Sequence, residues 1–135
     1  MSAITKISYG LFVMHLLVGC LSTNSSTHVV KGTVSYLERV ALSPSTKLEI
    51  ILADVSLADA PYKLIHQKTI SPIGQVPITF EISYDPHQII ENHTYAVMAR
   101  ITDQGSLLFI NDKSYQVITR NNTQDVQMIL KRVSH

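Results

Sequence analysis

The chain is predicted to be all-β: an antiparallel β-sandwich of about seven to eight strands behind a cleaved leader. Three observations predict this. Apolar residues recur at every second position in five separate runs, the period that puts one strand face on a core and the other toward water. Turn-forming clusters separate the runs at intervals of 8–15 residues. Beyond residue 28 no segment keeps a 3.6-residue period for longer than a single turn.

The chain divides into three parts. Residues 1–19 have the layout of a secretory leader: one cation, Lys6, then an apolar stretch from Ile7 to Gly19. The stretch is shorter than the ~20 apolar residues a membrane span takes, and Tyr9, Gly10 and His15 dilute it. It ends in Leu17-Val18-Gly19-Cys20, and Cys20 is the chain's one cysteine. A thiol can be alkylated by a lipid donor, and the small Gly19 leaves the preceding bond open to a protease. Cys20 is therefore read as the lipidation site, carrying palmitate-type acyl chains. Residues 20–28 are the acylated cysteine and a flexible tether, Leu-Ser-Thr-Asn-Ser-Ser-Thr-His after Cys20. Fully extended, that tether reaches roughly 27 Å. Residues 29–135 are the β-sandwich domain.

Within the domain each strand has its own signal. Val30, Gly32, Val34 and Tyr36 alternate with Val29, Lys31, Thr33 and Ser35. Leu48, Ile50 and Leu52 alternate with Lys47, Glu49 and Ile51. Residues 62–70 form a weaker strand. Val76, Ile78, Phe80, Ile82 and Tyr84 alternate with Pro77, Thr79, Glu81 and Ser83. Tyr95, Val97, Ala99 and Ile101 alternate with Thr94, Ala96, Met98 and Arg100. Residues 107–110 and 115–118 are two shorter strands, and Val126, Met128 and Leu130 set the last. Asp103-Gln104-Gly105 between two apolar runs predicts a tight hairpin with Gly105 at positive φ. Residues 55–60 and 86–92 are each expected to make one helical turn. A strand glycine such as Gly32 marks a bulge or a close backbone approach. Pro77 has no N–H to give a ladder, so its strand starts at an edge or leaves that side unpaired. Ile50, Phe80, Val97 and Leu130 are expected in the core.

Composition excludes several functions. The chain has 11 Lys and Arg against 10 Asp and Glu, and loss of Lys6 with the leader balances them. With no basic cluster, nucleic acid is not a partner. With Cys20 lipidated, no thiol remains for a disulfide or a thiolate metal site. Six histidines are present, but His15 and His28 fall in the leader and tether, and His135 is last. His66, His87 and His93 lack the spacing of a zinc site. No nucleophile elbow, phosphate loop or dinucleotide fingerprint occurs. The expectation is a protein with no cofactor, no metal and no enzymatic activity. The partner that the residues themselves point to is the membrane, through lipid on Cys20. The best sequence clue to a docking surface is the outward apolar set Ile51, Met98 and Ile129, on the faces opposite Ile50, Val97 and Leu130.

Further stretches resemble a known family. They are Val30-Lys31-Gly32-Thr33-Val34-Ser35-Tyr36, Asp54-Val55-Ser56 with Ala58-Asp59-Ala60-Pro61, Gly74-Gln75-Val76-Pro77-Ile78 with Phe80, Tyr84-Asp85-Pro86, and Tyr95-Ala96-Val97 with Ala99-Arg100-Ile101. In this order and spacing they are similar to the YbaY family of bacterial lipoproteins, which takes in the YscW-type pilotins of type III secretion. The resemblance implies a small lipid-tethered β-sandwich without catalysis. It also implies an envelope protein as partner and, for pilotin members, escort of a secretin subunit to the outer membrane. The function expected is thus a protein-binding, chaperone-like envelope lipoprotein facing the periplasm from the outer membrane. An envelope-structural module, or one binding a sugar or lipid, is the alternative.

Replacing the proposed anchor gives the direct check. Cys20→Ser is expected to move the protein from the membrane fraction to the soluble one and to remove the acyl mass. One acyl chain gives only marginal attachment and two or three give a durable one. A Cys20→Ser protein that stays in the membrane fraction with unchanged mass contradicts the assignment.

Overall fold

The computed structural model describes Gly19 and residues 27–134. Eight strands follow one another: β1 (His28–Tyr36), β2 (Thr46–Asp54), β3 (Lys63–Ile70), β4 (Ile78–Tyr84), β5 (Tyr95–Asp103), β6 (Ser106–Ile110), β7 (Tyr115–Val117) and β8 (Asp125–Arg132). The helical content among the described residues is one 3₁₀ turn at Pro86–Gln88. Asp85 caps it by accepting from the His87 N–H at 2.9 Å. The single turn expected within 86–92 is thus present. Residues 55–60 instead form an extended stretch with a turn at 58–59. Asp54 explains this: its carboxylate accepts the Ser56 N–H at 3.0 Å, a side-chain turn that competes with helix.

The strands are ordered β3-β2-β5-β6-β8-β1-β4, with β7 also pairing β5. β6 pairs the second half of β5 and β7 the first half, so two short strands share one edge. The sheet curls on itself until its end strands, β3 and β4, lie side by side, nearly closing a barrel. Every ladder is antiparallel except β1–β8, which is parallel over Lys31–Tyr36 against Asp125–Leu130. Alternation carries no information on strand direction. β8 then continues to β6 through Phe109↔Arg132 and Ile110↔Lys131, joining the two layers.

The alternation expected from the sequence is the alternation of burial. β4 reads BeBeBiB and β8 reads eBeBeBee, with B for buried, i for intermediate and e for exposed. Ile50, Phe80, Val97 and Leu130 are all buried in the central cluster. Tyr36 and Phe109 stack across it, ring centroids 4.2 Å apart. The hairpin between β5 and β6 turns on Gln104 and Gly105, with φ of 48° and 84°. These are the positive φ values a two-residue turn of matching twist requires.

Gly32 is the tightest point. A Cβ there would sit 2.2 Å from the Val126 carbonyl oxygen and 2.9 Å from the Phe80 ring. Gly32 pairs with Phe80 on one side and Val126 on the other. Its lack of a side chain therefore lets the ring lie over β1 while β8 comes alongside. Gly32→Ala is expected to lower stability by about 1–3 kcal/mol, since overpacking must shift backbone as well as ring. Chemical denaturation of wild type and variant checks this, and an unchanged midpoint contradicts it.

Candidate functional site

The outer face of the β2–β5–β6 layer carries a groove. Ile51, buried, and Met98, half-buried, are register partners, and the next outward pair, Ala53 and Ala96, is buried. Tyr62, just before β3, forms one wall, and Ile110 and Asn111, at the end of β6, form the other. Together with Ile51, Met98 and Arg100 they enclose about 220 Å³. The rim is fixed by polar bonds. Arg100 donates to Glu49 through Nε and Nη2, both at 2.8 Å, and Gln67 Nε2 donates to the same carboxylate at 2.6 Å. The bonds to Glu49 raise the Arg100 pKa and fix its guanidinium against that carboxylate. Asn111 is set by accepting the Ala99 N–H at 2.9 Å and donating to the Lys113 carbonyl at 3.0 Å. The result is an apolar floor with a polar border.

The outward residues singled out from the sequence fall in two places. Ile51 and Met98 meet in the groove floor. Ile51 is only 7% exposed, because Tyr62 and its neighbours close over the face. Ile129 stands apart on β8 at 37% exposure and does not line the groove. Its N–H donates to the Tyr115 hydroxyl at 2.9 Å. Tyr62 and Ile110 were not among the sequence candidates. The available signal was the inward–outward step from Phe109 to Ile110. Cys20 lies outside the described residues.

A second cluster sits where β2 ends. His93 Nδ1 is 2.5 Å from Asp54 Oδ2, and Ser56 donates its hydroxyl to Asp54 Oδ1. The serine thus bonds to the carboxylate and not to the imidazole, so this is not a nucleophile–base pair. Its work is structural. Ser56 Oγ also accepts the Thr94 N–H at 2.9 Å, and the Val55 N–H donates to the Thr94 carbonyl at 2.8 Å. Thr119 Oγ1 donates to the His93 carbonyl at 2.6 Å. Among the described residues no three His, Cys, Asp or Glu side chains converge as a metal site.

Burial pushes the Asp54 carboxyl pKa up, but the hydrogen bonds from Ser56 and His93 outweigh it and hold it below its ordinary 3.8. A depressed folded pKa means stability present above the unfolded value and lost as pH falls through the folded one. The thermal midpoint of wild type should therefore exceed that of Asp54→Asn at neutral pH. The gap should close in strong acid. A gap independent of pH contradicts this account.

Comparison with known proteins places this geometry. The family model described as "Type III secretion system lipoprotein chaperone (YscW)" matches residues 25–130. The "Uncharacterized lipoprotein YbaY" of Escherichia coli (strain K12) is 38% identical over 96 residues, 70% of this chain. The chain spans about half, 50%, of that relative's length. A solved structure, that of an alternative pilotin from the type II secretion system of Vibrio cholerae, is 40% identical with a TM-score of 0.78. That match covers 81% of this chain and 99% of the pilotin chain. The all-β architecture, the lipoprotein relatives and the family match together establish that the chain belongs to the YscW family of lipoprotein chaperones.

Proposed function

We propose that this protein is a lipid-anchored, pilotin-like escort that holds a segment of an outer-membrane secretin subunit in the groove floored by Ile51 and Met98. It works by binding, without turnover, cofactor or metal. The observation that carries the reading is the likeness to a pilotin over nearly that protein's whole chain. The groove offers the reading a place: an apolar recess on one sheet face, bordered by Glu49, Arg100 and Asn111. Binding hot spots are of this kind, an apolar anchor in a pocket surrounded by a polar rim.

The lipid is proposed to sit on Cys20, and the membrane to be the outer one. Leu21, where an aspartate would follow the cysteine in proteins kept at the inner membrane, supports that destination.

Met98 and Ile110 are the positions for a test, because Ile51 is too buried to charge without unfolding risk. Met98→Glu and Ile110→Glu are expected to abolish crosslinking to the secretin subunit in intact envelopes, with little change in thermal midpoint. Ile129→Glu is expected to leave crosslinking intact. Equal crosslinking in all three variants removes this face from consideration. Capture lost only in Ile129→Glu moves the site to β8.

A further inference from the structure

We propose that the end of the domain where the tether enters docks on the bilayer holding the anchor, with Leu57 and Ile90 as the apolar contacts. This rests on the lipid-anchored reading above. The chain enters the fold at His28, the first residue of β1. The residues between Cys20 and His28 reach at most roughly 27 Å, so this end is held within that distance of the membrane.

The same end gathers the loops that follow β2, β4 and β7. His28, Pro86, Ile89, Glu91 and Arg120 line one cavity there. From it residues 85–94 run to the end of β2, where His93 meets Asp54. Leu57 is 73% exposed and Ile90 51%. His93 links them: Leu57, Pro61 and His93 line a common cavity, and the His93 N–H donates to the Ile90 carbonyl at 3.0 Å. Both tips stand on held backbone. The Ile90 N–H donates to the Tyr95 hydroxyl at 2.8 Å, and Ser56, beside Leu57, is bound to Asp54.

Single exposed leucines are ordinary. Two large aliphatic side chains on braced loops at the tether's exit form a contact for the headgroup–acyl boundary, where apolar side chains are buried. Each cation at this end has an acid lining the same cavity, Arg120 with Glu91 and Lys63 with Asp54. The contact therefore depends on apolar burial and not on attraction to anionic lipid. Tethering raises the local concentration of the surface, so a small contact suffices. The opposite end is the internal control. Leu37, 82% exposed, follows β1 and lies about 30 Å away along that strand.

The chain contains no tryptophan and six tyrosines, so Leu57→Trp, Ile90→Trp and Leu37→Trp each carry one indole, excited selectively beyond the tyrosine absorption. The acylated full-length variants are reconstituted into phosphatidylethanolamine–phosphatidylglycerol vesicles with brominated acyl chains. The expected result is loss of most emission at positions 57 and 90, insensitive to salt, with emission at 37 unchanged. Adding Leu57→Asp to Ile90→Trp is expected to restore emission. Flotation of the vesicles reads the anchor separately. Protein that floats with unquenched emission at 57 and 90, or with equal quenching at 37, overturns the docking and leaves the anchor standing. Protein that does not float overturns both.

Discussion

The close approach at Gly32 is the contact on which the rest of the sheet depends. β1 is flanked on both sides, by β4 and by β8, and it can be so only because Gly32 leaves room for the Val126 carbonyl and the Phe80 ring. With β8 fixed there, its far end reaches β6, and that short junction joins the β1–β4 side to the β2–β5 side. The buried cluster then fills the space the curl encloses, with Tyr36 and Phe109 stacked between layers. Apolar burial at ~25 cal/mol per Å² is the driving force for such a core. No disulfide is available to the domain if Cys20 is acylated, so the domain rests on this apolar core.

Near-closure leaves one seam, and the seam bears on where a partner can sit. β3 and β4 are the end strands of the order, each hydrogen-bonded to one neighbour. Lys68 on β3 pairs with Ile50, a core-facing residue, so its side chain starts on the inner side of the sheet. Its Nζ crosses the seam and donates to the Glu81 carbonyl at 2.8 Å. A charged residue directed inward on an edge strand is a device against strand addition. Lys68 thus bridges the seam at one point, beside a cavity of about 550 Å³ lined by Ile70, Thr79 and Phe80. The recess over Ile51 and Met98, the proposed place for a partner, lies away from this seam on the outer sheet face.

Much of this fold was legible because burial in a sheet follows a period of two. The runs around Val30, Ile50, Phe80, Val97 and Met128 became strands in the expected places, and the Gln104–Gly105 turn followed from its residues. Gly32 announced a close approach, although not its partners. The parallel β1–β8 ladder was not legible, since a strand's pattern is the same read in either direction. The groove was half legible. Its floor came from alternation, but Tyr62 reaches it from a loop, and no periodicity covers a loop. Residues 118–121 were not legible either. Ile118, Arg120 and Asn121 take φ of 73°, 59° and 61°. For a β-branched residue this is a strained conformation. It is accompanied by bonds formed at a distance, Thr119 to the His93 carbonyl and Arg120 to the Asn92 carbonyl at 3.1 Å. Local sequence does not foretell such partners.

These distant bonds brace the two ends of the barrel in the same way. At one end Asp54, Ser56, His93 and Thr119 tie the loops after β2, β4 and β7 together. At the other, Asp103 accepts from Ser43 at 2.8 Å and Ser45 at 2.5 Å, and Gln75 exchanges two bonds of 3.1 Å with the Leu42 backbone. Each end thus has a polar network that holds its loops, whereas the groove lies on the flank, midway along β2 and β5. A domain tethered by the His28 end and resting on it would stand with its strands rising from the bilayer. The groove would then open sideways, parallel to the membrane surface and clear of it. A partner segment held there could be carried along the leaflet without first being pulled from between the domain and the lipid. The rigid rim set by Glu49, Arg100 and Asn111 fits that geometry, because a preformed recess loses little entropy on binding.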